Sequence, residues 1–375
     1  MASVRAAVLV RSGDPGPFAS TEPIQIRELQ LDSPGPGELA VKIHAAGLCH
    51  SDLSVINGDR PRPVPIVLGH EAAGEVTAIG AGVSAFKLGD RVVLAFVPSC
   101  GECEACLAGR AALCVPGAQS NTAGTLSSGE RRWSGDQGEL LHHHLGISAF
   151  AEQTIVSELS AIKIPDDLPY ELAALFGCAV LTGVGAALNA AEIKHGQTVA
   201  IFGLGGVGLA AVMGAKLAGA GRIIAIDPVD HKRDLARELG ADDLLEGGPE
   251  TVEDLKAITD GGPERAIETV GSAKVLESAY LATRRGGITV TVGLPNPEAL
   301  LSIPAVSLVA EERTLKGSYL GSANPSEMLP RLFDYWREGK LPVEKLISGR
   351  ISLDEINEGF DRLASAEAVR QIIIF

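Results

Sequence analysis

The chain has 375 residues, 46% of them apolar, which is enough for two or three domains with extended cores. A formal net charge of −15 disfavours binding to nucleic acid or to an anionic membrane surface. The N-terminal stretch lacks the apolar core of a signal peptide, and no uninterrupted apolar run of about 18 residues is evident. We therefore expect a cytoplasmic protein without membrane insertion.

The pattern of predicted elements changes once along the chain. Residues 4–94 alternate short β-rich runs with turn clusters, which is typical of an all-β region. From about residue 180 the order becomes strand, glycine turn, helix, strand, which predicts βαβ units and a parallel sheet. The predicted strands are 198–202, 222–226, 265–268 and 287–292, and the predicted helices are 207–218, 231–239 and 273–282.

The remaining stretches complete the predicted domains. Residues 326–338 and 353–364 have the spacing of amphipathic helices, and residues 369–375 predict a last strand that returns to the first domain. Residues 116–144 are rich in Gly, Ser and Thr and predict the longest loop of the chain.

Four cysteines stand close together at Cys100, Cys103, Cys106 and Cys114. Two-residue gaps let neighbouring thiolates converge on one tetrahedral zinc. Disulfides or ordinary core packing are the alternatives, but in a reducing compartment clustered cysteines favour metal ligation. Four sulfurs would close the coordination shell, so this zinc is expected to be structural.

The other two cysteines, Cys49 and Cys178, combine with His70 as a second set of candidate metal ligands. Two thiolates and one imidazole leave the fourth position of a zinc open, as a catalytic metal requires. Each of the three residues alone would more often be an ordinary core or turn residue.

The motifs together resemble a known family. The segment 46–52 (Ala-Gly-Leu-Cys-His-Ser-Asp), the segment 69–71 (Gly-His-Glu), the four-cysteine lobe and a glycine-rich turn follow one another as in the zinc-containing alcohol dehydrogenases of the medium-chain family. The resemblance covers the chain and is loosest between residues 116 and 142. It implies an α/β fold: a GroES-like β-rich catalytic domain over residues 1–178 and 319–375, with the zinc lobe at about 98–116, and a Rossmann doubly wound, parallel-sheet NAD-binding domain over residues 179–318.

The same resemblance assigns roles around the catalytic zinc. Cys49, His70 and Cys178 become its ligands, and Glu71 lies behind the metal as a transient ligand. Asp52 matches the carboxylate that orients the histidine ligand.

A proton path is also implied. Zinc would stabilise an alkoxide and so lower the pKa of the alcohol before hydride leaves. Ser51 would be the first proton acceptor. Some relatives end the relay in a histidine at the position that Ser54 occupies here, so water or the cofactor ribose would have to serve.

The glycine-rich turn follows a predicted strand and precedes a predicted helix, which is the context that a dinucleotide fingerprint needs. Asp227, nineteen residues after Gly208, has the spacing of the carboxylate that binds a ribose 2′-hydroxyl and repels a 2′-phosphate, so NAD is favoured over NADP. By motif and resemblance the expected cofactor-binding residues are His50, Thr182, Gly203, Gly205, Gly206, Val207, Gly208, Asp227, Lys232, Val292 and Arg370.

The substrate pocket is only loosely predicted. Three consecutive histidines, His142–His144, cannot all face one ion, so a third metal there is not expected. By offset from Cys178, the residues expected to line the pocket are Phe96, His144, Leu145, Leu294 and Tyr319, with Arg60 at its mouth. This mainly apolar set suits a medium-sized or aromatic alcohol.

The leading hypothesis is reversible NAD-linked oxidation of a primary or secondary alcohol at zinc, with two zinc ions per chain. Thiol-dependent formaldehyde oxidation is the rival, although Ala118 stands where the glutathione type has an arginine. A catalytically silent NAD-binding protein is a third alternative, and the zinc-free quinone and enoyl reductases of this fold lack these thiolates. The long spacing between Cys114 and Cys178 resembles that of the dimeric branch, so a homodimer is expected.

Overall fold

The computed structural model describes residues 2–375, which form two compact units. Unit 1 comprises the chain up to Cys178 together with Asn324–Asp334 and Ile347–Phe375. Unit 2 comprises Ala179–Ala323 and Tyr335–Leu346. Residues 319–323 and 335–346 therefore cluster with unit 2, whereas the sequence-based division placed all of residues 319–375 in the first domain.

The strands of the described residues vary in length from two residues in β4 to ten in β3. They are β1 (Ala2–Leu9), β2 (Ile24–Leu31), β3 (Glu38–Gly47), β4 (Ile66–Val67), β5 (Glu71–Ile79), β6 (Arg91–Leu94), β7 (Trp133–Ser134), β8 (Leu140–His143), β9 (Gln153–Ser157), β10 (Ala161–Lys163), β11 (Thr198–Phe202), β12 (Arg222–Ile226), β13 (Asp243–Leu245), β14 (Arg265–Glu268), β15 (Ile288–Thr291), β16 (Thr314–Gly317), β17 (Ile347–Ile351) and β18 (Arg370–Ile374).

The α-helices are mostly short in unit 1 and longer in unit 2. They are α1 (Phe18–Thr21), α2 (His50–Ile56), α3 (Glu104–Leu107), α4 (Val115–Ala123), α5 (Tyr170–Leu175), α6 (Leu181–Gly185), α7 (Gly206–Leu217), α8 (Asp230–Leu239), α9 (Thr251–Ile258), α10 (Ala273–Ala282), α11 (Ala305–Ala310), α12 (Pro325–Arg337) and α13 (Ile356–Ala364). Two π-helical turns, Phe176–Val180 and Ala186–Ala190, interrupt the helical run that begins with α5.

Unit 1 contains a closed barrel and a larger sheet. The barrel order is β1-β2-β7-β8-β4, and it surrounds a core that includes Val8, Leu29 and Trp133. In the larger sheet, β3 pairs with β5, β9 and β18, and all three pairings are antiparallel. Since β18 joins β3 at its far end, the C-terminal strand completes the sheet of unit 1.

Unit 2 is built on one six-stranded parallel sheet with the order β13-β12-β11-β14-β15-β16. Its central strands β11 and β12 are nearly continuous apolar runs, as expected of strands that helices cover on both faces. The strand order reverses at β11, which lies between β12 and β14 and leads directly into the glycine-rich turn. In open sheets of this kind, ligands bind at the carboxyl ends of the strands where the order reverses.

Two expectations about local structure are corrected. Residues 116–144 are not one loop, because they contain most of α4 and all of β7 and β8. Among residues 2–375 one helical run, Tyr170–Ala190, is long and apolar enough to cross a membrane by length and composition, although no such run was expected from the sequence. In the structure 89% of its most apolar window is buried, as in the core helix of a soluble protein.

Candidate active site and metal centres

Cys49, His70 and Cys178 meet inside unit 1. Cys49 caps the N-terminus of α2 just after β3, His70 immediately precedes β5, and Cys178 lies in the π-helical turn that follows α5. One ligand atom from each lies within 4.8 Å of the others, and all three side chains are buried. Two thiols and an imidazole at these separations fit one zinc with an open fourth position.

The backbone explains why these side chains converge. Gly47, the last residue of β3, is paired with Glu71, the first residue of β5, so the segments that carry Cys49 and His70 are neighbours. Gly177 allows the third segment to approach, because a Cβ there would lie 2.2 Å from the carbonyl oxygen of Leu94 in β6. Single π-helical turns of this kind occur frequently at functional sites.

Asp52 orients the histidine. The Nδ1 atom of His70 lies 3.1 Å from Oδ1 of Asp52, and the amide of Gly69 donates to the same oxygen at 3.1 Å. The Nε2 atom of His70 faces Sγ of Cys178 at 3.5 Å. Burial raises the pKa of Asp52, while the neighbouring imidazole acts in the opposite direction. The carboxylate therefore holds Nδ1 and leaves Nε2 directed toward the metal position.

A second buried pair lies behind the ligands. The Nε atom of Arg370 is 3.7 Å from Oε1 of Glu71, and its Nη1 donates to the carbonyl oxygen of Leu48 at 3.0 Å. Burial raises the pKa of Glu71 to about 7, and the charge of Arg370 opposes that rise. The pair places a carboxylate and a permanent cation beside the residues that hold the metal.

The three consecutive histidines separate in space. His142 is half-buried, whereas His143 is buried and its Nε2 accepts the amide N–H of Arg132 at 3.1 Å. His144 is also buried, and its Nε2 lies 3.4 Å from Oδ1 of Asp52. The triplet therefore does not converge on one ion, but His144 joins Asp52 and His70 in a cluster whose ligand atoms lie within 4.8 Å of one another.

The other expected pocket residues are divided between the units. The ring of Phe96 packs edge-on against His70 at 5.2 Å, and Leu145, next to His144, is buried with a positive φ of 52°. Leu294 and Tyr319 belong to unit 2. The structure thus brings Phe96 and His144 next to the histidine ligand.

The four-cysteine lobe is formed by a short loop, α3 and a turn. The ligand atoms of Cys100, Cys103, Cys106 and Cys114 all lie within 4.8 Å of one another, and none of the four forms a disulfide. Sγ of Cys114 accepts the amides of Cys100 at 3.3 Å and Gly117 at 3.2 Å. Burial raises the pKa of the Cys114 thiol, and these two amides act against the rise. Four sulfurs at these separations fit a closed, tetrahedral zinc.

The glycine-rich turn lies at the carboxyl end of β11. Gly203 has a φ of 86°, and a Cβ at Gly208 would lie 1.8 Å from the carbonyl oxygen of Gly203, so both positions require glycine. Gly205 caps α7 and has open space around it, which gives a pyrophosphate access to the helix N-terminus. Gly206 and Val207 form the first turn of α7.

Asp227 directly follows β12, the strand next to β11 in the sheet. Its Oδ2 accepts the amide of Leu204 at 2.7 Å and its Oδ1 accepts the amide of Val229 at 2.9 Å. Lys232 is buried nearby, and burial lowers its pKa while Asp227 acts against that shift. The carboxylate therefore lies directly beside the glycine-rich turn.

The remaining expected residues occupy scattered positions. The hydroxyl of Thr182 in α6 is buried without a hydrogen-bond partner, so a ligand could satisfy it. Val292 follows β15 and donates its amide to the carbonyl of Glu268 at 2.8 Å. His50 is exposed and Ser51 is half-buried, both in the first turn of α2.

Two features of the site were not anticipated from the sequence. His144 lies next to Asp52 although the two residues are 92 positions apart in the sequence, and no local sequence pattern predicts this proximity. The buried carboxylate of Glu268, at the end of β14, also escaped attention because it ends an otherwise ordinary apolar strand.

Comparisons with known proteins identify the family. Residues 35–166 match the model of the alcohol dehydrogenase GroES-like domain, and residues 206–334 match that of the zinc-binding dehydrogenases. The NDMA-dependent alcohol dehydrogenase of Amycolatopsis methanolica is 38% identical over 376 residues, covering 99% of this chain and 98% of the relative. The S-(hydroxymethyl)glutathione dehydrogenase of Escherichia coli O157:H7 is 38% identical over 361 residues, covering 95% of this chain and 97% of the relative.

A solved structure points the same way. Benzyl alcohol dehydrogenase from Acinetobacter calcoaceticus superimposes with a TM-score of 0.92 at 31% identity, over all of both chains. The chain therefore belongs to the zinc-dependent alcohol dehydrogenases of the medium-chain dehydrogenase/reductase family. The expected fold class, the oxidoreductase class and the use of zinc and a nicotinamide cofactor are thereby confirmed.

Proposed function

We propose that this enzyme oxidises a primary or secondary alcohol reversibly with NAD at the site formed by Cys49, His70 and Cys178. The observation that carries the proposal is the convergence of these three buried donors within 4.8 Å, apart from the four-cysteine cluster. Three donors leave a position for an alcohol, and four do not. Unit 1 is thus the catalytic unit, and unit 2 is the cofactor-binding unit.

The residues around the site have distinct tasks. When bound, zinc supplies a Lewis acid that lowers the pKa of the alcohol. Asp52 fixes the ring of His70 through Nδ1, and Glu71 stands ready as a transient ligand. Ser51, two residues after Cys49, accepts the first proton from the alcohol and passes it outward to water or to the cofactor ribose.

The cofactor preference rests on Asp227. Each of its oxygens accepts one backbone amide, and a carboxylate oxygen has a second lone pair that can accept a ribose hydroxyl. A 2′-phosphate at that place would meet a negative charge, so NAD is preferred over NADP. The pyrophosphate would lie at Gly203–Gly208, with His50 and Arg370 as its cations, Lys232 at the ribose, and Thr182 and Val292 at the nicotinamide.

The proposed substrate is a medium-sized or aromatic alcohol. The aromatic ring of Phe96 and the apolar side chain of Leu145 lie in the segments next to the site, and we propose Leu294, Tyr319 and His144 as further pocket residues. Ala118 lies in an open, mainly apolar surface depression beside the lobe, together with Leu113 and Val115. The solved relative named benzyl alcohol dehydrogenase supports an aromatic substrate.

The test is a substrate panel with zinc-loaded enzyme. Benzyl alcohol, ethanol, hexanol and cyclohexanol would each be offered with NAD or NADP while the absorbance of the reduced cofactor is followed. We expect the highest kcat/KM with benzyl alcohol and NAD. Failure to turn over any alcohol in an enzyme that carries two zinc ions per chain would overturn the proposal.

Thiol-dependent formaldehyde oxidation is the second candidate, favoured by the Escherichia coli relative named S-(hydroxymethyl)glutathione dehydrogenase. Ala118 and the surface depression around it provide no cation for a glutathione carboxylate, which weakens this candidate. Adding formaldehyde with and without glutathione or mycothiol decides between the two. A rate that requires the thiol and exceeds the rate with benzyl alcohol would favour the second candidate.

We also propose that the enzyme is a cytoplasmic homodimer. Its six cysteines are free, as in a reducing compartment. In unit 2, Leu300 is 88% exposed and Val309 in α11 is 82% exposed, close in sequence to β16 at the edge of the parallel sheet. Exposed apolar side chains beside an open edge mark a protein interface. Light scattering should give twice the chain mass, and Val309→Asp should give the monomer mass.

A further inference from the structure

The carboxylate of Glu268 is buried at the cofactor edge of unit 2. Glu268 ends β14 and is 1% exposed. In the sheet it stands between Phe202 of β11 on one side and Thr291 of β15 on the other. A buried carboxylate that no reaction step uses needs another explanation, because burying a charge is costly unless several donors compensate it.

One donor comes from the turn after β14 and the other from the last residue of β15. Oε1 of Glu268 accepts the amide of Gly271 at 2.6 Å, and Oε2 accepts the hydroxyl of Thr291 at 2.8 Å. Burial raises the pKa of Glu268, while the Thr291 hydroxyl and the amides of the following residues act against the rise. One carboxylate thereby ties the segment 269–272, which we call the β14 turn, to the end of β15.

The two segments are in backbone contact. A Cβ at Gly293 would lie 2.0 Å from the amide nitrogen of Gly271, and a Cβ at Gly271 would lie 3.0 Å from the amide nitrogen of Leu294. The main-chain oxygen of Glu268 also accepts the amide of Val292 at 2.8 Å. The position of Val292, a proposed nicotinamide contact, thus depends on Glu268 and on the β14 turn.

The β14 turn also reaches the glycine-rich turn. The hydroxyl of Thr269 lies 3.0 Å from the carbonyl oxygen of Gly203 and 3.1 Å from that of Phe202. A Cβ at Gly203 would lie 2.6 Å from Cγ2 of Val270. The first glycine of the fingerprint is therefore packed directly on the turn that the carboxylate of Glu268 holds.

We propose that Glu268 is a positioning residue for the cofactor: its carboxylate holds the β14 turn against Gly203 and Val292 and so sets the affinity for NAD. The inference rests on the proposed function, because it requires unit 2 to bind NAD. Pre-organised backbone of this kind raises affinity by removing the cost of ordering the site on binding.

The experiment measures NAD dissociation constants by calorimetry on zinc-loaded variants, with melting temperatures in parallel. Glu268→Ala should raise Kd about tenfold, since two hydrogen bonds that order the site are lost. Glu268→Gln should stay within about threefold of the parent chain, because its amide oxygen can accept from Gly271 and its NH₂ can donate to Thr291. If Glu268→Gln binds NAD nearly as well as the parent chain, the hydrogen bonds made by residue 268, and not its charge, set the affinity.

The matched control is Glu264→Ala, just before the opposite end of the same strand. Oε2 of Glu264 accepts the amide of Thr198 at 2.6 Å, far along the strands from the glycine-rich turn. This variant should lower the melting temperature and leave the Kd for NAD within about twofold. An equal rise in Kd for both alanine variants, or none for Glu268→Ala, would overturn the inference.

Thr291→Val provides a second test in case Glu268→Ala does not fold. Thr291→Val removes one bond to the carboxylate at nearly constant volume and should raise the Kd about threefold. An unchanged Kd in Thr291→Val would count against the inference. If the parent chain itself does not bind NAD, the proposed function fails instead.

Discussion

Cys49, His70 and Cys178 are all buried and come from three distant parts of the chain, whereas three of the four lobe cysteines are only partly buried and all four fall between residues 100 and 114. The first set is positioned by β3, by the start of β5 and by a helix, so the fold makes the metal site. The second set lies on short turns with few buried apolar side chains, so a bound metal would order the local fold. In the function proposed above, similar ligand chemistry serves catalysis in one place and architecture in the other.

Removing a ligand from the buried set should produce the largest effect. Cys49→Ser should lower turnover by more than about 1000-fold, because loss of the metal removes its charge stabilisation. The zinc content should fall from two ions per chain to one, with the NAD dissociation constant unchanged within about twofold. These are measured by metal analysis, steady-state kinetics and calorimetry. Normal turnover in this variant would remove zinc from the reaction.

Removing a ligand from the lobe should affect stability instead. Cys103→Ser should lower the melting temperature by more than about 5 °C, since a structural zinc contributes folding free energy. Ala105→Ser, which changes a neighbouring lobe residue without removing a sulfur, is the control and should melt like the parent chain. Unchanged melting of Cys103→Ser would mean that the lobe does not depend on metal.

Substitution of His144 should change the release rate of the catalytic zinc and leave that of the lobe zinc unchanged. His144→Phe replaces the imidazole that lies 3.4 Å from Asp52 with a larger apolar ring and should displace the carboxylate that contacts Nδ1 of His70. The catalytic zinc should leave about tenfold faster in a chelator assay, as is typical when an outer partner of a ligand is lost. The lobe zinc serves as the internal reference, and His142→Phe as the control variant. Equal release rates in the parent chain and His144→Phe would show that His144 does not support the site.

Acid should also destabilise the folded chain. Burial lowers the pKa of His143 to about 3, so this group stays neutral in the folded chain at a pH where it is charged in the unfolded chain. The free energy of unfolding that depends on His143 is fully present above pH 6.5 and declines as the pH falls toward 3, by at most about 1.4 kcal/mol per pH unit.

Denaturant titrations at pH 7, 6 and 5 measure this decline. His143→Gln keeps an acceptor for the amide of Arg132 and should flatten the dependence of unfolding free energy on pH. The control His231→Gln, at an exposed position, should leave the dependence unchanged. A slope in His143→Gln equal to that of the parent chain would assign the acid sensitivity elsewhere.

Much of the α/β fold follows from local patterns. The strands at 198–202 and 222–226 were predicted to the residue, because each is a buried apolar run bounded by glycine or charge. Two other strands, β13 and β16, were missed: each is only three or four residues long and partly exposed, so its pattern is too short to register. Helix α4 was missed because its N-terminus depends on Sγ of Cys114, an acceptor that no helix rule anticipates.

The candidate site divides in the same way. The ligand types and the glycine spacing are visible in the sequence, because chemistry restricts which residues can serve. The spatial arrangement of the ligands is not visible in the sequence. The residues that position the ligands and the cofactor-binding turns from behind are not visible either. Glu268 and the approach of His144 to Asp52 depend on strand register and on contacts between distant segments.

The pairing of β18 with β3 has a consequence for the order of folding. Arg370 lies 322 residues beyond Leu48, whose carbonyl it binds, and the whole of unit 2 is encoded between them. A ribosome therefore releases both metal-binding segments of unit 1 long before the strand that completes their sheet. Until then residues 45–47 at the end of β3, which β9 does not cover, are open for pairing with other chains. The interval between the synthesis of β3 and of β18 is thus the period in which this chain most needs protection from aggregation.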